Sequence, residues 1–380
     1  YEGVNICSAE IPSIDITNRP CYYRGAGKTK GSYVRVGDAD LPMTDYEIYS
    51  FESYKAHVHD DERPIDRADL SLLDEAGINN YILQMKLNRP YFSKLSEEQI
   101  YELLSITRNG VPTLASILNF GIYPQGLLPQ LAITATVIPG TEIGETTNDG
   151  VRFLDNKRIE GTLSEMLDEA IAFCNRNMRT QTIIDSKTGK RNDKTEYPIN
   201  AIREAILNAL IHRDYSIHTE GTTIQISFFT DRLEIHSPGS LYGRMTVNDL
   251  GKARPDLRNP ALATMSEFLL KTENKYSGIP TIRREMQEYG LPEPLFENRR
   301  NEFVVTLFNK PETSINNSED NTDLLAFCKT PRTRQEISDY LGLKTTQYVS
   351  KNYIQPLVNQ GKLKLLDPDK PKSKNQKYYS

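Results

Sequence analysis

The sequence contains no tryptophan, only four cysteines and no apolar run long enough to cross a bilayer. A transmembrane helix needs about 20 mostly apolar residues, so a membrane span is excluded within the residues present. No secretory signal opens the sequence. The cysteines are scattered and form no Cys-x-x-Cys pair, which excludes a zinc ribbon or a dithiol redox motif. We therefore expect a cytoplasmic protein with reduced thiols.

Two short stretches suggest sites that their surroundings do not support. The segment HVHD, with His57, His59 and Asp60, offers two imidazoles, but no second cluster of metal ligands accompanies it. The segment GAGKT resembles part of a phosphate-binding P-loop. That motif needs another glycine five residues before Gly27, where this chain has Tyr22. A basic hairpin is the better interpretation.

Length and charge indicate several domains with different partners. The 380 residues are enough for two or three domains, and 38% apolar with 26% charged residues is ordinary for globular proteins. Residues 323–380 carry a net charge of +6, whereas the rest of the chain carries −11. A basic tail on an acidic body predicts a localised contact with a polyanion. The chain begins at Tyr1, and we expect further sequence upstream.

Apolar periodicity divides the chain into a β-rich start, a helical middle and an α/β part. Two strands, Cys21–Arg24 and Ser32–Val36, are predicted near the start. Between residues 181 and 309 the pattern reads hairpin, helix, strand pair, two helices and a final strand. This order predicts an α/β sandwich, with helices layered on a mostly antiparallel sheet. Residues 310–322 are polar, lack aromatics and read as a linker.

The tail is typical of a winged helix-turn-helix. Thr333 and Glu336 form a predicted capping box at its second helix, and a Pro/Lys-rich hairpin follows its third. In such a module the third helix enters the major groove and the wing contacts phosphates. The predicted DNA-binding residues are Lys344, Thr345, Thr346, Gln347, Ser350 and Lys351 on the helix, and Lys370, Lys372, Lys374 and Lys377 on the wing. Winged helices also serve in protein interaction or dimerisation, so that alternative remains open.

The segment EAILNALIHRDYS at 204–216 places Glu204, Asn208 and His212 four residues apart. On a helix this spacing aligns the three polar side chains on one face, while Ile202, Ile206, Leu207 and Leu210 point largely away. From the residues alone, this face is either a nucleotide site or the solvated side of an amphipathic helix.

A resemblance extends over nearly the whole chain. The ordered segments EAILNALIHRDYS, DRLEIHSPGSL, RNPALA and YSGIPTIRREM resemble the divergent GHKL-type ATPase module of predicted bacterial regulators, which are similar to the C-terminal part of RecG-type helicases. The stretch RPCYYRGAGKTKGSYVRVG resembles the end of a Schlafen-AlbA domain, and the tail resembles the terminal winged helix of those regulators. GHKL is the superfamily of gyrase, MutL, heat-shock chaperones and histidine kinases.

The resemblance implies roles for individual residues. In GHKL proteins the helix glutamate orients and deprotonates the attacking water, and the asparagine one turn later holds Mg²⁺. Glu204 is thus the implied catalytic residue, Asn208 the implied metal ligand, and ATP with Mg²⁺ the implied ligand. The further implied nucleotide-binding residues are His212, Arg213, Asp214, Ser237, Gly239, Arg258 and Asn259 (the last two in a lid), and Ser277 and Gly278 in a phosphate turn.

Two positions depart from the superfamily pattern. Ser237-Pro238-Gly239 stands where GHKL proteins carry Asp-x-Gly to read adenine, and Tyr276 stands where a glycine of the phosphate turn is expected. These departures predict weak nucleotide affinity or a domain kept for architecture.

The sequence thus predicts an α+β protein with a partial Schlafen-AlbA unit, a GHKL-like sandwich and a winged helix. The predicted boundaries are 1–50 for the Schlafen-AlbA part, 51–180 for a connecting region, 181–309 for the GHKL-like domain, 310–322 for the linker and 323–380 for the winged helix. The expected function is transcriptional regulation through double-stranded DNA, by a homodimer. Two alternatives stay open: an ATPase that uses the tail for targeting, and a nucleic-acid-processing factor acting through the Schlafen-AlbA part.

Overall fold

The computed structural model describes residues 14–36, 39–184, 191–270, 277–309, 324–341, 346–359, 361–367, 370, 373 and 376–380. The α-helices are α1 Gly27–Gly31, α2 Asp45–Ala56, α3 Glu75–Asn88, α4 Glu97–Leu103, α5 Leu114–Phe120, α6 Pro124–Leu127, α7 Leu163–Asn177, α8 Ile199–His212, α9 Pro260–Leu269, α10 Gly278–Glu288, α11 Arg334–Tyr340, α12 Thr346–Val349 and α13 Gln355–Asn359. Within these ranges no helix combines the length and apolar character that crossing a membrane requires.

The strands form one large sheet and several small ones. The strands are β1 Tyr33–Val36, β2 Ala39–Pro42, β3 Thr107–Arg108, β4 Val111–Pro112, β5 Ile133–Val137, β6 Asp155–Ile159, β7 Thr180–Ile184, β8 Arg191–Thr195, β9 Ile224–Phe228, β10 Arg232–Pro238, β11 Leu295–Asn298, β12 Glu302–Phe308, β13 Arg332–Thr333, β14 Lys364–Leu365 and β15 Lys377–Tyr379. The large sheet has the order β11-β12-β10-β9-β5-β6. Its neighbours pair antiparallel except β5 and β9, which are parallel.

One face of this sheet is covered by helices because its strands alternate. In β10, Leu233, Ile235 and Ser237 are buried, and the residues between them are less so. The buried set faces α8, which packs on β10, while α7 packs on β5 and β6. A two-layer α/β arrangement results, which confirms the predicted mixed α+β class with a mostly antiparallel sheet.

The two long helices of this layer form for identifiable reasons. A capping box of Thr162 and Glu165 begins α7, and its buried residues recur every three or four positions. Pro198 stands immediately before α8, at a position where the helix does not require the backbone N–H that proline lacks. Apolar residues of α8 such as Ile202 and Ile206 are buried, so the face opposite Glu204 and Asn208 rests on the sheet.

Two hydrophobic cores are present among the described residues. The first runs from Ile65 to Leu307 and so includes residues of both the predicted connecting region and the predicted GHKL-like domain. The second lies within the tail, from Leu324 to Tyr378. The six-stranded sheet likewise takes β5 and β6 from the predicted connecting region.

The predicted N-terminal hairpin is wrong in its position. The structure has a single bridge between Tyr22 and Ser32 where a strand was expected, and β1 pairs with β2 instead. The GAGKT segment coils into a short 3₁₀ turn and α1, with Gly27 at a positive φ of 72°. Glycine adopts such φ values at no steric cost, so the segment turns within itself rather than extending into a strand.

The tail contains short helices and a small three-stranded sheet. A helical turn at 324–327 precedes α11, whose capping box joins Thr333 and Glu336 as predicted. Residues 346–359 are helical throughout, with a π-helical segment Ser350–Ile354 between α12 and α13. The sheet has the order β13-β15-β14.

The face of the large sheet opposite the helices carries an ionic trio. His236 makes hydrogen bonds to Glu234 at 2.9 Å and to Glu302 at 3.0 Å. Burial alone would lower the pKa of His236, but these two carboxylates outweigh it and raise the pKa to about 9. Burial would raise the pKa of Glu234, yet His236 and Arg232 bring it down to about 2. His236 is therefore a cation at neutral pH.

We predict that His236→Gln lowers stability by about 1–3 kcal/mol near pH 6, because it removes the cation that Glu234 and Glu302 share and leaves each carboxylate with one arginine partner, Arg232 and Arg299 respectively. The raised pKa of folded His236 means that its stabilisation is complete below its ordinary value of 6.5 and is lost as the pH rises through about 9. The depressed pKa of Glu234 sets the lower limit, since that contribution is lost as the pH falls from about 4.5 towards 2. Urea unfolding of both proteins at pH 6 and pH 10 measures the difference, and an equal gap at both values would contradict a charged His236.

Candidate functional site

The polar stripe of α8 lies at the edge of the helical layer. Glu204 and Asn208 are half-buried, and His212 reaches solvent at the end of the helix. The side-chain Nδ2 of Asn208 is buried and has no hydrogen-bond partner among the described residues. A buried amide without a partner is costly, so this carboxamide is available to a ligand.

The N-terminus of α10 lies directly against this stripe. A Cβ added to Gly278 would stand 2.9 Å from Asn208 Nδ2 and 3.1 Å from Glu204 Oε2. The Ser277 backbone carbonyl accepts the first intrahelical hydrogen bond, from Thr281 at 2.8 Å. The unpaired amides and positive dipole end at a helix N-terminus favour an anion, so α10 brings phosphate-binding chemistry to Glu204 and Asn208.

The residues that follow α8 form a buried network rather than an open pocket wall. Arg213 is 1% exposed and donates to the backbone carbonyls of Thr219 and Thr222. Asp214 accepts a hydrogen bond from the Ser216 amide at 2.8 Å and lies 3.6 Å from Arg258. Burial would raise the pKa of Asp214, but Arg258 and the Ser216 bonds outweigh it and the pKa is lowered. These side chains fix the loop to the domain.

The Ser-Pro-Gly segment is part of the same network. Ser237 is 6% exposed, and its hydroxyl donates to the Ala209 carbonyl of α8 at 3.2 Å. Gly239 has φ +102°, and a Cβ there would stand 2.4 Å from Asp214 Cβ and 2.6 Å from Arg258 Nη1. Gly239 thus allows the chain to pass between these two residues.

The two residues of the predicted lid, Arg258 and Asn259, donate hydrogen bonds to backbone carbonyls of neighbouring segments. Asn259 precedes α9, and its Nδ2 donates to the carbonyls of Ile211 at 2.8 Å and Arg213 at 2.7 Å. Arg258 donates to the Ser240 carbonyl at 2.8 Å. Asn259 satisfies carbonyls that the helix end leaves without intrahelical partners.

His212 is exposed at the end of α8 and lies near Arg258. Desolvation of the ring by the surrounding protein, and secondly the Arg258 guanidinium, lower the pKa of His212 below its usual value of 6.5. A neutral imidazole at neutral pH can accept a hydrogen bond, so His212 supplies a polar contact without charge.

The residues therefore divide into two groups. Glu204, Asn208, Ser277 and Gly278 meet where α8 and α10 touch. The buried network brings together six other residues that were predicted to bind nucleotide: Arg213, Asp214, Ser237, Gly239, Arg258 and Asn259. His212 lies beside this network.

A cavity of about 310 Å³ lies elsewhere, on the sheet face opposite α8. Gln225, His236 and Pro238 line it from the sheet, and Tyr46 and His218 line it from the loops. It contains none of Glu204, Asn208 or Gly278. The presence of this cavity therefore does not support a nucleotide site at α8. That assignment rests on the groups at the α8–α10 contact.

These groups fit a Mg²⁺–nucleotide complex, in which protein supplies few ligands. No cluster of three or more His, Cys, Asp or Glu side chains suited to a metal occurs in the part of the chain that the structure describes. Mg²⁺ in nucleotide sites keeps waters and phosphate oxygens and needs only one or two protein groups. The side-chain oxygens of Asn208 and Glu204 can provide these, and the unpartnered Nδ2 of Asn208 can donate to a phosphate oxygen.

In the tail, the structure describes some of the predicted DNA-binding residues. Thr346 and Ser350 are half-buried on the helical stretch, which also contains Gln347 and Lys351. Lys370 and Lys377 are exposed on the hairpin side. The predictions for Lys344, Thr345, Lys372 and Lys374, like that for Tyr276, concern positions outside the described ranges.

Comparisons with known proteins match two parts of the chain. Residues 221–307 match the family model "Putative ATP-dependent DNA helicase recG C-terminal". Residues 321–379 match the family model "Filamentation induced by cAMP protein Fic-like, C-terminal domain". An ATPase-like domain is thereby indicated, although α8 with Glu204 and Asn208 precedes the matched residues. Neither match includes residues 1–50, so the Schlafen-AlbA resemblance stays a prediction.

One solved structure is similar over most of the chain. The DIP2311 protein from Corynebacterium diphtheriae aligns with a TM-score of 0.50 and 20% identity, covering 85% of this chain. This chain spans 66% of that protein's length. At this identity the likeness shows the fold alone. No curated protein matches the sequence.

The sequence did not point to Tyr46 of α2. Its hydroxyl donates to Asp214 Oδ2 at 3.1 Å and accepts from the Ser240 amide at 3.2 Å. The segment DYEIYSFESYK does carry three tyrosines on one short helix, which was the available signal. The partner of Tyr46, Asp214, lies 168 residues away in the chain, beyond any local pattern.

We predict that Gly239→Ala lowers the free energy of unfolding by about 2–4 kcal/mol, because the methyl group adds overlap with Asp214 and Arg258 to the cost of a positive φ. Gly144 is the matched control, since its φ is +97° and a Cβ there meets nothing within 4 Å. Gly144→Ala should cost only the backbone term, about 1–2 kcal/mol. Chemical denaturation measures both, and equal losses would show that the space around Gly239 is not limiting.

Proposed function

We propose that the contact of α8 with α10 is a Mg²⁺–ATP site and that the chain is a nucleotide-responsive DNA-binding regulator. The observation that carries the nucleotide proposal is the position of Gly278, at a helix N-terminus, against Glu204 and Asn208. Three complementary groups meet there: positive helix-end amides for phosphate, a carboxamide for the metal and a carboxylate for water. The ATPase-like match of residues 221–307 supports the same assignment.

The residues at this contact have separable roles. The first-turn amides of α10 would hold phosphate oxygens, and the side-chain oxygen of Asn208 would hold Mg²⁺, which would supply charge neutralisation of the phosphates. Glu204 would accept the proton of the attacking water. Nucleotide affinity is weak in this proposal, because the α10 terminus already lies against the pair and Ser237 carries no carboxylate to select adenine. His212, one turn beyond Asn208 on α8, is a neutral hydrogen-bond acceptor.

The DNA-binding half of the proposal rests on charge. The tail carries +6 in a chain whose remainder carries −11, and Lys370 and Lys377 are exposed. A winged helix in residues 323–380 would place the 346–359 helical stretch in the major groove and these lysines on phosphates. A cytoplasmic transcriptional regulator that binds double-stranded DNA as a homodimer is the function that combines both halves.

We predict that Asn208→Ala in the full chain weakens Mg²⁺–ATP binding about tenfold or more, because it removes the proposed ligand of Mg²⁺. Glu204→Gln should retain binding and lower turnover by about a hundredfold or more, because an amide cannot accept the proton of water. Titration with a fluorescent ATP analogue measures binding, and phosphate release measures turnover.

Asn200→Ala is the matched control for this experiment. Asn200 is an exposed residue of α8 that contacts Glu285 of α10 at 3.4 Å, far from Gly278 along the helices. The control should bind ATP like the unmodified protein. If Asn208→Ala also does so, the α8–α10 contact is not the nucleotide site.

We predict that Lys370→Ala/Lys377→Ala weakens DNA binding and reduces the slope of log K against log salt by about 2, one for each lost phosphate contact. Lys86→Ala/Lys252→Ala removes the same charge from exposed positions on the body. Fluorescence anisotropy with a duplex at several salt concentrations compares the two. An equal change in both double variants would point to net charge rather than to a site in the tail.

A further inference from the structure

Helix α2 makes a set of polar contacts with the ATPase-like domain. Its residues precede the matched range 221–307. Near its start Tyr46 contacts Asp214 and Ser240, and Glu47 accepts two hydrogen bonds of 2.8 Å from Arg300. These contacts involve carboxylate groups, and a hydrogen bond to a charged group is worth about 1.5–3 kcal/mol net. Such a docking is specific in geometry.

Tyr46 closes a ring of interactions around the start of the 240–257 loop, which joins β10 to α9. Its hydroxyl bridges the Asp214 carboxylate and the Ser240 amide. Arg258 lies 3.6 Å from the same carboxylate and donates to the Ser240 carbonyl at 2.8 Å. Both ends of the 240–257 loop are therefore held at one point, and Tyr46 is the member that α2 supplies.

A second contact holds the loop farther along. Tyr54 donates to Asp256 Oδ2 at 2.8 Å, and its ring meets Tyr242 edge-on at 5.3 Å. Gly243 leaves room for this approach, since a Cβ there would stand 2.4 Å from Asp256 Oδ2. Tyr46 and Tyr54 thus position the loop from both ends of α2.

The middle of the loop packs on the first two turns of α10. Arg283 in the second turn donates to the Leu250 carbonyl at 3.0 Å, and a Cβ on Gly251 would lie 3.1 Å from Pro280 Cδ in the first turn. Gly278, which lies against Glu204 and Asn208, belongs to the same turn as Pro280. A continuous set of contacts therefore joins α2, the 240–257 loop and the α8–α10 contact.

We propose that α2 positions the 240–257 loop over the α8–α10 site, and that Tyr46 is the positioning residue through which it acts. The role rests on the proposed nucleotide function of that site. Tyr46 touches neither Glu204 nor Asn208, so its effect falls on the affinity for nucleotide and not on the chemical step. Displacement of α2 by a partner of the N-terminal part would weaken nucleotide binding.

Tyr46→Phe in the full chain tests this proposal by removing the hydroxyl and keeping the ring. Trypsin can cut the loop after the exposed Arg244 and Lys252. Without nucleotide, cleavage at these two sites should be about three- to tenfold faster than in the unmodified protein, corresponding to one lost hydrogen bond. Saturating Mg²⁺–ATP should slow it again. The Kd for ATP should rise by a similar factor, with unchanged turnover at saturation.

Tyr91→Phe is the matched control, since Tyr91 is 79% exposed and should alter neither quantity. Fragments cut at other sites report general unfolding, so the ratio of loop cleavage to these fragments isolates the loop. Tyr46→Phe/Tyr54→Phe should raise the ratio further.

A ratio unchanged by Tyr46→Phe would overturn the positioning role, whatever happens to ATP affinity. If the unmodified protein binds no ATP, the proposed function of the site fails. The cleavage ratio then still decides whether α2 holds the loop.

Discussion

Asp214 is a buried carboxylate on which four separate segments converge. Its side chain accepts hydrogen bonds from Ser216 in its own loop and from Tyr46 of α2, and it pairs with Arg258 before α9. Its backbone amide donates to the Pro238 carbonyl at the end of β10. A buried charge is stable only when it is paired and hydrogen-bonded, so each partner is needed for the others to stay in place. The end of α8 is thereby fixed relative to the sheet, and with it the direction of Glu204 and Asn208.

The closeness of Gly278 to Glu204 and Asn208 imposes a second constraint. A phosphate group and a hydrated metal need space between α8 and α10 that the present contact does not leave. In the proposed site, nucleotide binding would displace the first turn of α10, and Arg283, which donates to the Leu250 carbonyl, would couple that displacement to the 240–257 loop. A ligand shifts such an equilibrium only by the difference in its affinity for the two arrangements. Modest affinity and a coupled loop movement would both follow from this proposed site.

Local patterns predicted the regular elements of this layer. α8, α10, β9, β10 and β12 show clear helical or alternating spacing, and the capping box of α11 lies at the predicted residues. The strands β6 and β11 were missed because both are edge strands with a single neighbour, and β6 is the polar segment DNKRI. Strands at a sheet edge bury less and so show weaker alternation.

Local sequence patterns predicted only part of the candidate site. Helical spacing put Glu204 and Asn208 on one face, but family resemblance was needed to assign them a role. The approach of Gly278 and the contact of Tyr46 with Asp214 join residues far apart in the chain, and no sequence period encodes them. The resemblance also could not show that Arg213 and Ser237 are fully engaged by backbone carbonyls.

Charge segregation affects how the two halves of the chain can cooperate. The body carries −11 and the tail +6, so a polyanion approaching the protein is attracted to the tail and repelled by the body. The body and tail also attract each other at low ionic strength, and in the proposed function DNA would compete with that attraction. Salt screens both interactions over about 8–10 Å at physiological strength. A nucleotide bound at the proposed site would add negative charge to the body, which would strengthen its attraction for the tail and increase its repulsion of DNA. Under the proposed function, electrostatics alone would therefore favour DNA binding by the nucleotide-free protein.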